Sequence, residues 1–161
     1  MSDSTRVKAD IIKYTSEYAR TVRSWIETEQ TAADLDIAAE YPPAEEIVDE
    51  WQTEEMTSYL LLSGNGPVAY AELWSHPIEM GLEIKRLLVD PKRRRNGYGC
   101  KMLSLLCEIA GRRKDIAKVF LTVDWDNRSA LGCYLKSGFT VAGTTHDRPG
   151  LYLTRIVERH D

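Results

Sequence analysis

Apolar and polar residues alternate along this chain with two different periods, and the places where the period changes mark out its elements. Val7 to Tyr14 reads as a strand. Tyr18, Val22, Trp25 and Ile26 then recur at helical spacing on one face, behind Thr15 or Ser16 as a cap. A looser acidic stretch follows. Pro42-Pro43 can open a second short helix with Ile47, Val48 and Trp51 on one side. Thr57 to Leu62 and Val68 to Trp74 are apolar runs joined by Ser63-Gly64-Asn65-Gly66-Pro67, which predicts a hairpin. Gly81 to Val89 predicts another strand, ended by Asp90-Pro91 because proline has no N–H for a ladder.

Helical period returns from Gly97 to about Arg113, where Met102, Leu103, Leu106, Ile109 and Ala110 share a face. A short strand, Lys118 to Val123, comes next. Asn127 or Asp126 can cap a last helix running to about Ser137, closed by Gly138, before strands at Phe139 to Ala142 and Leu151 to Val157. Helices interleaved with a mostly antiparallel meander predict an α+β, or mixed α/β, layered fold whose one β-α-β crossover is Gly81 to Val123. With 161 residues and no repeat or linker-like stretch, residues 1–161 are expected to form a single domain.

Composition narrows the class. Apolar residues make up 43% and charged residues 29%, but the longest uninterrupted aliphatic or aromatic runs, such as Tyr59 to Leu62, span four positions. A membrane helix needs about 20, so no membrane association is expected. The polar start, Met1 to Asp10, has no export signal, and Cys100, Cys107 and Cys133 suit neither a disulfide framework nor paired zinc ligands. A cytoplasmic location and no metal are the corresponding expectations.

The net charge of −4 argues against nucleic acid as a partner, yet it averages two opposed segments. Glu27 to Glu55 holds eleven acidic residues and no lysine or arginine. Lys85 to Lys114 holds ten basic residues against Asp90 and Glu108. One segment attracts cations and the other anions.

The segment Val89 to Gly99 contains Arg93, Arg94, Arg95, Gly97 and Gly99 at the point where a strand stops and a helix begins. Unpaired N–H groups converge there, so such a turn binds anionic phosphate, and glycines let the ligand approach without a Cβ in the way. It is not a P-loop, which needs four residues between its glycines and then Lys-Ser/Thr. Nor is it a dinucleotide fingerprint, which needs a small residue where Met102 stands.

Leu87-Leu88-Val89-Asp90-Pro91, then Arg94-x-x-Gly97-x-Gly99, then Asn127-x-x-Ala130-x-x-x-Tyr134-x-x-x-Gly138-Phe139 resembles the GNAT superfamily of acyl-CoA-dependent N-acyltransferases. The resemblance is specific from about Glu83 to Phe139, and no family signature is legible before Thr57. It implies a central, mostly antiparallel twisted sheet of about six to seven strands with a splayed parallel pair, flanked by about four helices. The acyl-CoA-binding core would span about 81–139, with acceptor-side helices at about 15–55.

Residue by residue, the resemblance implies that backbone groups along Leu87, Leu88 and Val89 pair with the pantetheine arm. The N–H near Leu87 would also stabilise the charge developing on the thioester oxygen. The backbone of Arg94, Arg95, Asn96, Gly97, Tyr98, Gly99, Cys100 and Lys101 would hold the pyrophosphate of acetyl-CoA. Asn127 would bond the pantetheine or cap its own helix, with Ala130 beside it. Tyr134 would be the general acid near the sulfur, a tyrosine of pKa ~10 facing a thiolate of ~8.5. Glu83 matches the base of the family's protein-lysine acetylating members, with Glu72 or a water chain as alternatives. His76, His146 and His160 form no readable triad, and the cysteines are given no catalytic role.

The implied function is direct acetyl transfer in a ternary complex to a primary amine. The acidic Glu27 to Glu55 stretch on the acceptor side suits a polycation: a polyamine, an aminoglycoside-like amine, or a lysine or N-terminal amine of a peptide. The alternative is a non-catalytic acyl-CoA-binding sensor or interaction module. Family members often pair through sheet edges, which points to a homodimer.

Overall fold

A computed structural model describes residues 8–35, 41–64, 66–147 and 149–158. Strands β1 (Asp10–Lys13), β2 (Met56–Ser63), β3 (Gly66–His76), β4 (Gly81–Val89), β5 (Lys118–Asp124), β6 (Thr140–Thr144) and β7 (Gly150–Ile156) form one sheet, ordered β1-β2-β3-β4-β5-β7-β6. Every neighbouring pair is antiparallel except β4 with β5. The α-helices are α1 (Ala19–Ser24), α2 (Glu29–Asp34), α3 (Ile47–Glu50), α4 (Tyr98–Gly111) and α5 (Arg128–Lys136). No helix among the described residues is long and apolar enough to cross a membrane.

The expected α+β architecture is present, with differences of local physical origin. The start of the first predicted strand, Val7, lies outside the described residues, and β1 begins at Asp10. The first predicted helix opens as a 3-10 turn, Ser16–Tyr18, before α1. There is one helix more than expected, because α2 forms inside the acidic stretch. Thr28 caps it, its Oγ1 accepting from the Thr31 N–H at 3.0 Å, a signal masked by the absence of an apolar stripe. Pro42-Pro43 does not start a helix directly; α3 begins at Ile47. Arg23 ties this segment down by donating to the carbonyls of Pro43 and Ala44.

Alternation along the strands assigns the two faces of the sheet. Ala69, Ala71, Leu73, Leu82 and Ile84 point to one side and pack with Met102, Leu103, Leu106 and Ala110 of α4. Leu60, Tyr70 and Leu88 point to the other and pack with Val22, Trp25, Ala32, Leu35, Val48 and Trp51 of the α1–α3 layer. Leu82 and Leu88 are an even number apart yet face opposite sides. Pairing of β3 with β4 shifts between Tyr70 and Glu72, and Arg86 there has φ of 48°. This β-bulge re-aims every side chain after it.

The two parallel strands part just before the bulge is reached. Only Gly81, Leu82 and Glu83 of β4 pair with β5, opposite Lys118, Val119 and Phe120. Among the described residues β4 has no strand on that side from Ile84 onward, while β5 continues with β7 alone. A V-shaped opening in the sheet results, with α4 and α5 at the carboxyl ends of its two arms.

Candidate active site

The turn after β4 is built to expose backbone N–H groups. Pro91–Arg93 makes a 3-10 turn capped by Asp90, whose Oδ1 accepts from the Lys92 N–H at 3.0 Å. Asn96 folds the next residues by donating from Nδ2 to the carbonyls of Arg93 (3.0 Å) and Arg94 (3.3 Å). Arg95 (φ 67°) and Gly97 (φ 81°) take the left-handed conformation, and Gly97 caps α4. The first N–H groups of that helix, from Tyr98, Gly99 and Cys100, have no intrahelical acceptor and point out of its positive end. Tyr98 anchors the helix start, its hydroxyl 3.1 Å from Ser63 Oγ. Arg94, Arg95 and Asn96 are exposed around this end, and Lys101 is half-buried. These residues fit a diphosphate: the N–H groups face outward, the helix supplies positive potential, and Gly97 leaves the approach clear.

Along the opened arm of β4, Leu87 and Val89 pack toward α4, whereas Leu88 is buried under the α1–α3 layer. The side chains thus leave the plane of the sheet, and the backbone edge of this arm lines the opening. On the facing side, Asn127 caps α5, its Oδ1 accepting from the Ala130 N–H at 3.3 Å. Of the two roles open to Asn127, this bond makes the helix cap. Tyr134, two turns further on, packs against the first core with its ring 6.5 Å from Phe139. Among the described residues no hydrogen bond claims its hydroxyl. Burial, reinforced by Cys133 and Cys100, pushes its pKa up to about 12, so it is protonated at neutral pH.

Cys133 in the second half of α5 lies beside Cys100 in the first turn of α4. Interaction between the two thiols lowers Cys100 below an ordinary thiol and raises Cys133.

The face toward α1–α3 carries the carboxylates. Glu83 stands opposite Trp74 on β3 and opposite Phe120 on β5, at the last paired position before the strands part. Its Oε1 lies 2.9 Å from His76 Nε2 and 3.9 Å from Lys85 Nζ, and its side chain is 13% exposed. Glu72 is fully buried and differently placed. It accepts from Tyr70 Oη (2.6 Å), Trp74 Nε1 (2.9 Å) and Arg86 Nη1 (3.0 Å), so three donors already hold it. That geometry gives Glu72 three donors in the buried core, and places Glu83 at the fork.

Sequence reasoning missed two residues here. Arg86, the bulge residue, lies 4.7 Å over the Trp51 ring and donates from Nε to the Leu35 carbonyl. His76 lies beyond the predicted strand end at Trp74, but β3 runs to its position and brings it beside Glu83. The hairpin register held the signal, since a residue two beyond a cross-strand partner is its diagonal neighbour on the same face.

The sequence profile of the acetyltransferase (GNAT) family matches residues 19–139. The match reaches well before Thr57, into α1–α3, where no signature was legible. The chain belongs to this family, and is an acetyl-CoA-dependent N-acetyltransferase that acylates amines. It superimposes on a spermidine N-acetyltransferase from Vibrio cholerae in complex with CoA and spermine (TM-score 0.78, 11% identity, 92% of this chain and 95% of that one). It also superimposes on an aminoglycoside acetyltransferase in complex with coenzyme A and kanamycin (TM-score 0.76, 18% identity, 92% and 95%). No curated protein matches the chain at significant sequence similarity.

Proposed function

We infer that this acetyltransferase acts on a polycationic amine, by direct attack on the thioester in a ternary complex. The observation that carries the reading is the parting of β4 and β5 immediately after Glu83 and Phe120, with the exposed N-terminus of α4 at the end of one arm. An acyl-pantetheine arm fits where the missing strand would lie, and its diphosphate fits the turn from Arg94 to Lys101.

Each residue then has a task. Glu83 removes a proton from the bound ammonium, freeing the lone pair that attacks. The N–H near Leu87 faces the carbonyl oxygen and stabilises its developing negative charge. Tyr134 gives a proton to the departing sulfur; burial weakens its acidity but guarantees that the proton is present. Ala130 and Asn127 keep α5, and so Tyr134, in place.

Two facts support a polycationic acceptor. The α1–α3 layer lies over the Glu83 face of the sheet and supplies exposed acids such as Glu29, Asp34, Glu45, Glu46 and Glu50. The similar structures named above hold spermine or kanamycin, both polyamines. A lysine or N-terminal amine of a peptide meets the same charge requirement. A second copy of the chain would pair at β6, an edge strand whose five residues are all exposed.

Thiol release from acetyl-CoA, followed across amines of one to five charges, tests the acceptor class. The expected KM falls as acceptor charge rises and climbs with added salt. A KM indifferent to both removes the polycation from the proposal while leaving amine acetylation in place.

A further inference from the structure

The site described so far removes a proton but has no route for disposing of it. A primary ammonium gives up two protons on becoming an amide. One ends on the thiol and the other must leave the protein. Glu83, only 13% exposed, lies at the closed end of the fork.

His76 is placed to carry that proton. It is the last residue of β3, two beyond Trp74, the cross-strand partner of Glu83, and on the same face. Its Nε2 is 2.9 Å from Glu83 Oε1. Phe120 holds the ring edge-on, with centroids 5.0 Å apart and planes at 63°. Among the described residues Nε2 makes the one hydrogen bond of the imidazole, which leaves Nδ1 for water, and the side chain is 37% exposed. The other charged groups on this face do not compete for the carboxylate. Lys85 stops 3.9 Å from Glu83 and lies over the Trp74 ring, while Lys118 lies over the Phe120 ring, 3.9 Å from Glu79.

We propose that His76 is a proton-relay residue, acting through Glu83, that carries the acceptor's proton from the fork to solvent. This rests on the assignment of Glu83 as the base. An N–H bond of the ammonium breaks as an O–H bond forms on Glu83, and the freed electron pair on nitrogen attacks the thioester. The Glu83 O–H bond then breaks as Nε2 takes the proton, giving an imidazolium. Its Nδ1–H bond breaks to water, leaving neutral histidine and ionised Glu83. The exposed ring exchanges its protons with water and regains the Nδ1–H form before the next turnover. One proton reaches solvent per amide formed, and no other reactant is consumed.

Four enzymes decide the matter, each assayed for thiol release with the fastest of spermine, kanamycin and butylamine: wild type, E83Q, H76Q and H76A. Glutamine at 76 keeps a polar partner for Glu83 but cannot relay a proton. The expected result is a kcat roughly tenfold or more below wild type in both His76 variants, with both KM values within about twofold. Added imidazole should restore H76A in a concentration-dependent way and leave E83Q unchanged. A merely structural histidine would not be rescued, and loss unrelieved by imidazole overturns the relay. A kcat for H76Q within about twofold of wild type, with E83Q impaired, also overturns it but spares Glu83 as base. Wild-type rates in E83Q remove the base, and the relay with it. Thermal melts of each variant report folding independently.

Discussion

Arg86 lies with its Nη1 3.0 Å from Glu72 Oε1, a pair that joins the bulged strand to the strand beside it beneath the α1–α3 layer. Glu72 is fully buried and Arg86 largely so. Because Arg86 also reaches the Leu35 carbonyl and covers the Trp51 ring, one side chain links the bulge of β4 to the α1–α3 layer. Chain geometry near the fork and the position of the α1–α3 layer are thus linked through one guanidinium.

Breaking that pair should be costly. E72Q or R86M leaves one buried charge unmatched, and each is expected to lose about 3–5 kcal/mol of stability. The double replacement should lose clearly less than the sum, since the second change removes the orphaned charge. Urea denaturation of the four proteins measures the coupling, and strictly additive losses would show that the contact carries none.

Tyr134→Phe should lower kcat by about 10²-fold with little change in either KM. With the hydroxyl pushed up to about 12, no alkaline loss of activity below about pH 10 should trace to Tyr134. The stability effect has a definite sign. A raised tyrosine favours the folded state fully below its unfolded value of about 10, and that contribution is lost as pH rises toward about 12. Denaturation midpoints should therefore fall over that interval, less steeply in Y134F. The slope flattens rather than vanishes because Tyr14 and Tyr70 are also raised, each chiefly by burial.

Gly97 and Gly99 should respond differently to alanine. Gly97 sits at φ of 81°, where an L-residue costs about 1–2 kcal/mol, so G97A should lower the melting temperature as well as CoA affinity. A Cβ on Gly99 would meet Val89 Cγ2 at 3.7 Å, an ordinary contact. G99A is expected to melt like wild type and to bind CoA more weakly, because the new methyl stands where the ligand approaches. Calorimetric titration with CoA beside thermal melts separates the two, and unchanged affinity in G99A would move the diphosphate elsewhere.

Cys100 should be the most reactive thiol among the three cysteines. The Cys133 thiol and the nearby Lys136 lower it, whereas burial raises Cys107. Iodoacetamide at neutral pH is expected to label Cys100 first, more slowly in C133A, and not at all under saturating CoA. Peptide mass spectrometry reads the order, and labelling unaffected by CoA would place Cys100 outside the bound ligand's footprint.

Local signals carried much of this protein. The apolar run ending Asp90-Pro91 and the turn from Arg94 to Gly99 were readable as strand, bend and helix start, because each depends on neighbours within a few positions. Asn127 and Tyr134 were legible on one helix for the same reason. The short α2 was not, since its order comes from the Thr28 cap and from Ala32 and Leu35 packing in the distant layer.

Composition and periodicity were enough to dictate the succession of elements and the site of the exposed helix terminus, both matters of short-range geometry. Which carboxylate stands at the fork, and which is sealed among three donors, depends on cross-strand register and on a one-residue bulge at Arg86. A shift of one position reverses the face that every later side chain occupies. Such a choice is made only when β3, β4 and the α1–α3 layer pack together, and it is that packing which brings His76 to Glu83.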